Sequence, residues 1–160
     1  MVYISIVLSI IMIDQLTKYL ISKKITLGQR KYFWSGKVFI TNLRNNGAAY
    51  GVLKDRPKLL ACLTAFSFVH ISRVFINLII TEKNNKIYKF SYSFLLGGAL
   101  GNIYDRIKRK YVTDFVCIKF FKNAPIFNVA DLFIVFGVLL AIINLLFTAV
   151  SDLFKTTKNY

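Results

Sequence analysis

Apolar runs about one membrane thick constrain this chain more than any other feature. They recur at residues 2–21, 59–80, 90–107 and 126–150. A helix of roughly 20 residues crosses a hydrocarbon core of about 30 Å. Inside lipid only helices and closed barrels satisfy their own backbone, and runs this long predict helices. The 160 residues therefore fit a single integral membrane domain, 1–160, with four spans. The third run ends among charged residues, so its last turns are expected to leave the hydrocarbon.

Between the runs the chain is basic, with a formal net charge of +15. Lys and Arg fill the connections, where phospholipid headgroups would meet them, so the expected partner is membrane phospholipid and not nucleic acid. The interval 22–58 contains Tyr32, Phe33 and Trp34, an aromatic cluster of the kind found at a membrane interface. Residues 37–43 (KVFITNL) are rich in β-formers and predict a short strand. Asn45, Asn46 and Gly47 then signal a turn. The first run has no basic segment before it and no clear small-residue cleavage pattern after it, so it is expected to be a retained helix. Two cysteines, Cys62 and Cys117, and a single histidine, His70, give no disulfide framework, no zinc ligand set and no Cys–His nucleophile. No metal or cofactor is expected.

Carboxylates are scarce and concentrated. The chain has seven acidic residues, and Asp105, Asp114 and Asp131 fall within the stretch 97–131 (GGALGNIYDRIKRKYVTDFVCIKFFKNAPIFNVAD). Carboxylates at the ends of membrane helices are costly to bury, so they mark function. Asn102, Asp105 and Arg106 follow one another at helical spacing and share a face; Asp105 and Arg106 read as a structural pair. Asn128 lies three residues before Asp131, either as a helix cap or on the face of a site. Asp114 sits in the connection that returns to the fourth run, so Asp114 and Asp131 can meet at one membrane surface. Two carboxylates brought together in a partly dry site share a proton. One then acts as base on a water while the other polarises a carbonyl.

Other residues support more than one reading. Asn45, Asn102 and Asn128 suit hydrogen bonds to a substrate backbone. Asp14 and Lys18 stand at i, i+4, acid first. They form either a self-neutralising interfacial pair, with Lys18 snorkelling, or an inward pair that props up a site. Gly97, Gly98, Ala99 and Gly101 make a small-residue patch for close helix approach. From the residues alone, peptide hydrolysis and ion or proton transport stand level.

Five ordered blocks then carry a resemblance. Asp14-Gln15-Leu16-Thr17-Lys18 is similar to the DQxTK block of bacterial lipoprotein signal peptidase, the type II signal peptidase. Asn45-Asn46-Gly47-Ala48-Ala49-Tyr50 is similar to its NxGAA-aromatic block. Gly98-Ala99-Leu100-Gly101-Asn102, with Asp105-Arg106, resembles its GGAxGNxxDR block. Val112-Thr113-Asp114-Phe115 and Phe127-Asn128-Val129-Ala130-Asp131 resemble the two blocks holding its aspartates.

The resemblance implies an aspartyl endopeptidase of the bacterial cytoplasmic (inner) membrane, acting as a monomer on diacylglyceryl-modified prolipoproteins. It implies an all-α membrane protein, a four-transmembrane-helix bundle with a small extracytoplasmic β-cradle. Asp114 and Asp131 would be catalytic. Asn45, Asn102, Arg106 and Asn128 would position the substrate, with Asp14, Lys18, Gly98, Gly101, Asp105 and Ala130 as structural support. The family's termini are cytoplasmic and its site faces outward. Counting Lys and Arg per loop favours the opposite orientation, but charge density hardly differs between the two sides and the resemblance is followed. Three departures stand out: Lys110 where Gly is usual, Tyr50 in place of Phe or Trp, and Leu132 where Ser is frequent. The alternatives are a small proton- or ion-coupled transporter using the same carboxylates, and a non-catalytic lipoprotein-binding protein.

Overall fold

The computed structural model describes residues 1–48, 52–81, 85–119 and 124–157. Ala49 and Tyr50, and with them the aromatic end of the second block, lie outside the described residues. The elements in chain order are α1 (Val2–Lys24), β1 (Arg30–Phe33), β2 (Val38–Asn45), α2 (Pro57–Ile80), α3 (Lys86–Arg109), β3 (Val112–Ile118), β4 (Ile126–Phe127) and α4 (Val129–Thr157). Their ends have local causes. Pro57 opens α2, where its missing N–H costs nothing. Asn85 caps α3 by accepting from the Tyr88 backbone N–H at 3.3 Å.

Three of the helices, α1, α2 and α4, are long and apolar enough to cross a membrane. The third expected span is corrected in composition. α3 is 24 residues long but carries Lys86, Lys89, Asp105, Arg106, Lys108 and Arg109, and its mean hydropathy suffers accordingly. It packs against α1, α2 and α4, and most of what it buries is small or polar: Ser91, Ser93, Gly97, Gly98, Gly101, Asn102 and Asp105. The outer face of α4 instead exposes Val135, Phe136, Leu139, Ile142, Ile143, Leu146 and Phe147. Apolar side chains face outward and small or polar ones inward, as expected where lipid replaces water and helices associate through close packing. A methyl at Gly98 would run into the Ala130 carbonyl oxygen, and one at Gly101 would lie 2.7 Å from an Asp14 carboxylate oxygen.

The strands form one antiparallel sheet in the order β1-β2-β3-β4. β2 is the strand expected at 37–43. β3 replaces an expected connection: Val112, Thr113, Asp114 and Phe115 are all buried, so it has no alternating pattern to betray it. Ile126 and Phe127, expected as the start of the fourth helix, pair with Cys117 and Val116 as β4, and α4 begins only at Val129.

An irregularity in this sheet decides which side chains share a face with Asp114. Ile40 pairs with Val116, but Leu43 pairs with Asp114, so β2 carries one extra residue between them, a β-bulge. Because side chains alternate with period two, the bulge switches which residues of β2 lie on the Asp114 side. Asn45, opposite Val112, is placed there. A regular ladder would have put Arg44 in its stead.

Lys110, the departure noted in the sequence, closes α3 in the left-handed conformation, with φ 67°. A side chain there costs about 1 kcal/mol that glycine avoids. Lys110→Gly is expected to raise stability by about 0.5–1 kcal/mol, read by thermal unfolding in detergent. A lower stability would mean that the lysine side chain contributes more than its backbone strain removes.

Candidate active site

Where α1, α3, β3 and the start of α4 meet, polar side chains are gathered in a single buried network. At its base, Lys18 is fully buried, as are Asp14 and Asp105. The Lys18 ammonium lies 2.7 Å from Asp14 Oδ2 and 3.0 Å from Asp105 Oδ2, and donates to Asn102 Oδ1 at 3.1 Å. Of the two readings of Asp14 and Lys18, the inward pair is the one observed. Asp105 does not pair with Arg106 as the sequence suggested. Its partners are Lys18 and Arg109, the latter at 2.7 Å, one helical turn further on. Two cations and two carboxylates thus balance, with Lys18, Asp14 and Asp105 out of reach of solvent and Arg109 partly exposed.

From this base the network climbs to Asp131 and Asp114 through three asparagines. Lysine only donates, so Lys18 fixes Asn102 with its oxygen downward and its nitrogen up. That nitrogen donates to Asp131 Oδ1 at 2.8 Å. Asn128 and Asp131 form a reciprocal capping box on α4: the Asp131 N–H donates to Asn128 Oδ1 at 3.0 Å, and the Asn128 N–H donates to Asp131 Oδ2 at 3.1 Å. The Asn128 amide nitrogen is then left to bridge Asn102 Oδ1, at 3.2 Å, and Asp114 Oδ1, at 2.7 Å. Asn45 holds the other Asp114 oxygen, donating at 2.8 Å. Its own orientation is set by the Gly47 N–H, which donates to Asn45 Oδ1 at 2.9 Å.

Both aspartates open on one cavity of about 430 Å³. Asn45, Asn102 and Arg106 line it with them, and residues such as Val112, Ile126, Leu132 and Val135 make up its apolar walls. Arg106 donates to the Gly47 carbonyl at 3.4 Å, spanning from α3 to the turn after β2. Ala130, Gly98 and Gly101 lie behind the aspartates: the Ala130 N–H donates to Asp14 Oδ1 at 3.0 Å, and the glycines allow α3 to come this close. The expected site residues therefore converge, in two layers.

Three contributors were not singled out from the sequence. Gln15 donates to Asp14, the Gly101 carbonyl and Asp105 at 3.1–3.2 Å. It stands inside the DQLTK block, which was the available signal. The Thr113 N–H donates to Asp105 Oδ2 at 3.3 Å, tying β3 to α3, and Gly47 orients Asn45; backbone roles of this kind leave no residue-type signature. Among the described residues no cluster of three or more His, Cys, Asp or Glu side chains is placed to hold a metal ion. Cys117 is buried against the Ala124 carbonyl, and His70 lies on the exposed side of α2, away from the site.

Burial pushes the Asp114 carboxyl up from 3.8 to about 6, with the Asp131 charge adding to the rise and the Asn45 and Asn128 hydrogen bonds opposing it. The folded value lies above that of the unfolded chain, so folding takes up a proton between these two values. Asp114's contribution to stability is full at the acid end of the window, falls as pH rises through it, and is gone above about 6. Thermal unfolding measured from pH 4 to 7 is expected to show that fall, and Asp114→Asn to remove it. An unchanged slope in the variant would assign the titration elsewhere.

Lys18→Met is expected to cost about 3–5 kcal/mol, since it strands Asp14 without a counter-charge and leaves Asp105 with Arg109 alone. A loss below about 1 kcal/mol in chemical denaturation would show that the Lys18 ion pairs do not hold the fold together.

Known proteins resemble this chain over most of its length. Residues 6–147 match the family model of signal peptidase (SPase) II. Two solved structures described as bacterial membrane enzymes, determined by the in meso method at 2.3 and 1.9 Å, are similar throughout. The first is 33% identical with a TM-score of 0.79, covering 91% of this chain and 87% of its own. The second is also 33% identical with a TM-score of 0.77, covering 91% of this chain and 92% of its own. With a family match over nearly the whole chain, apolar helices fit for a membrane and a buried polar site, this protein belongs to the signal peptidase II family, proteases that process prolipoproteins.

Proposed function

We propose that the chain is an aspartyl endopeptidase of the bacterial inner membrane. In this reading it removes signal peptides from diacylglyceryl-modified prolipoproteins by cutting before the lipidated cysteine. One observation carries the proposal: two carboxylates from different elements open on the same cavity, with every carboxylate oxygen held by an amide. All four helices cross the membrane in this reading. The polar α3 is shielded from lipid by its neighbours, and the protein works as a single membrane domain without a partner subunit.

The chemistry follows from a shared proton. With one of Asp114 and Asp131 protonated, the ionised partner removes a proton from a water molecule as that water attacks the scissile carbonyl. The protonated partner donates to the carbonyl oxygen, giving a tetrahedral diol. Collapse of the diol transfers a proton to the departing nitrogen and releases a carboxyl and an amine. Asn102 and Asn45 each retain one amide hydrogen after holding an aspartate, and both residues line the cavity, where those hydrogens can receive substrate carbonyls. Arg106 adds a positive charge where the carbonyl oxygen becomes negative. Asn128 spends both amide hydrogens within the protein, so its part is to position the carboxylates.

A signal peptide arrives as a helix whose carbonyls are already bonded, and it must unwind locally to be cut. Such a substrate fits a cavity with polar groups at the aspartates and apolar walls along α4. Termini in the cytoplasm and a site facing outward accord with where lipid-modified precursors emerge. Transport is the weaker reading, because ionisable groups of carriers gather near the midplane of repeated folds, whereas Asp131 stands in the first turn of α4 and Asp114 on the sheet.

The test is cleavage of a diacylglyceryl-modified prolipoprotein by the purified protein, with the new N-terminus read by mass spectrometry. Asp114→Asn and Asp131→Asn are each expected to lower kcat by on the order of 10²–10⁴ while substrate still binds. Full activity in either variant would remove that aspartate from catalysis.

A further inference from the structure

A second chamber adjoins the first. It has a volume of about 330 Å³ and shares Asn45, Gly47, Asp114 and Ile126 with the main cavity. The two differ in where their walls come from. The main cavity draws on α3 and α4 and is largely apolar. The described walls of the second come from β2, the turn after it, β3 and β4, without a helix, and two cations stand on it, Arg44 and Lys54. Asp114 is the single carboxylate among its described lining residues. Asp55, the acid next to Lys54, is not one of them. The Arg44 guanidinium lies 4.8 Å from the centre of the Tyr111 ring, a cation–π contact.

Because Asp114 belongs to both chambers, a chain cut at the aspartates can run from one into the other. The apolar signal helix matches the helix-walled cavity. We propose that the second chamber receives the polypeptide on the other side of the cut, the segment that follows the lipidated cysteine, and that Arg44 and Lys54 favour acidic side chains there. The proposal rests on the peptidase reading above and adds to it a determinant of substrate choice. Arg44 borders the chamber although its side chain belongs to the face of β2 opposite Asn45, where the guanidinium rests on Tyr111.

The experiment compares two diacylglyceryl-modified prolipoprotein substrates that differ only after the cysteine, one with Asp-Asp and one with Lys-Lys. Wild-type protein is expected to cleave the acidic substrate about tenfold better in kcat/KM, mainly through KM, and the preference should shrink at high salt. Arg44→Glu with Lys54→Glu is expected to reverse it. The single variants Arg44→Gln and Lys54→Gln, which leave the buried network untouched, should each reduce it about threefold. Equal cleavage of both substrates by the wild type, or an acidic preference that survives the double variant, overturns the proposal while leaving the peptidase reading intact. So does a rate that follows the anionic phospholipid content of the vesicles through Arg44 and Lys54 but ignores the substrate's charge, which would make the chamber a headgroup site. Cleavage of neither substrate by the wild type removes the peptidase reading and this inference with it.

Discussion

The buried ammonium of Lys18 is the constraint on which the polar interior depends. Taking such a charge out of solvent costs several kcal/mol unless every hydrogen finds an acceptor. Here it finds three: Asp14, Asp105 and Asn102. Those acceptors are rationed. Asp14 uses its other oxygen to cap the Ala130 N–H at the start of α4. Asp105 uses both of its oxygens, holding Arg109 and the Thr113 N–H. One ion cluster thereby fixes α1, α3, β3 and α4 relative to one another.

The same ion sets the orientation of the site above it. A carboxamide can turn end for end with little change in shape, so three asparagines around two aspartates would ordinarily permit several hydrogen-bond patterns. Lys18 removes the freedom of Asn102, the Gly47 N–H that of Asn45, and the Asp131 N–H that of Asn128. Each is a donor with no acceptor alternative, and each forces the amide nitrogen toward a carboxylate. Rigid placement of this kind suits chemistry that cannot tolerate reorganisation. The capping box at Asn128 and Asp131 shows that a helix-starting role and a site role are here the same set of bonds.

Lipid accounts for the rest of the architecture. With apolar side chains turned outward, the interior is free to be small and polar, and α3 can hold Ser, Gly, Asn and Asp where a water-soluble bundle would hold leucine. That freedom lets α3 approach α4 at Gly98 and deliver Asn102 and Arg106 beside Asp131. The sheet closes the opposite side of the site, supplying Asp114 from its buried strand and Asn45 from its bulged neighbour.

The sequence by itself determined the membrane class and the apolar runs of α1, α2 and α4, the last of which begins at Val129 and not at 126, and it singled out the aspartates and asparagines that the fold brings together. Those properties follow from run length, charge distribution and residue type, all of which are local. It also marked Lys110, where a side chain occupies a left-handed helix end. Partners and register were beyond it. Adjacent Arg106 is the partner that sequence suggests for Asp105, because proximity along the chain cannot reveal that Lys18, 87 positions earlier, reaches the same carboxylate. β3 was hidden because a strand buried on both faces loses its alternation. Most of all, the extra residue in β2 decides that Asn45 and not Arg44 faces Asp114, and a bulge exists only once two strands have paired.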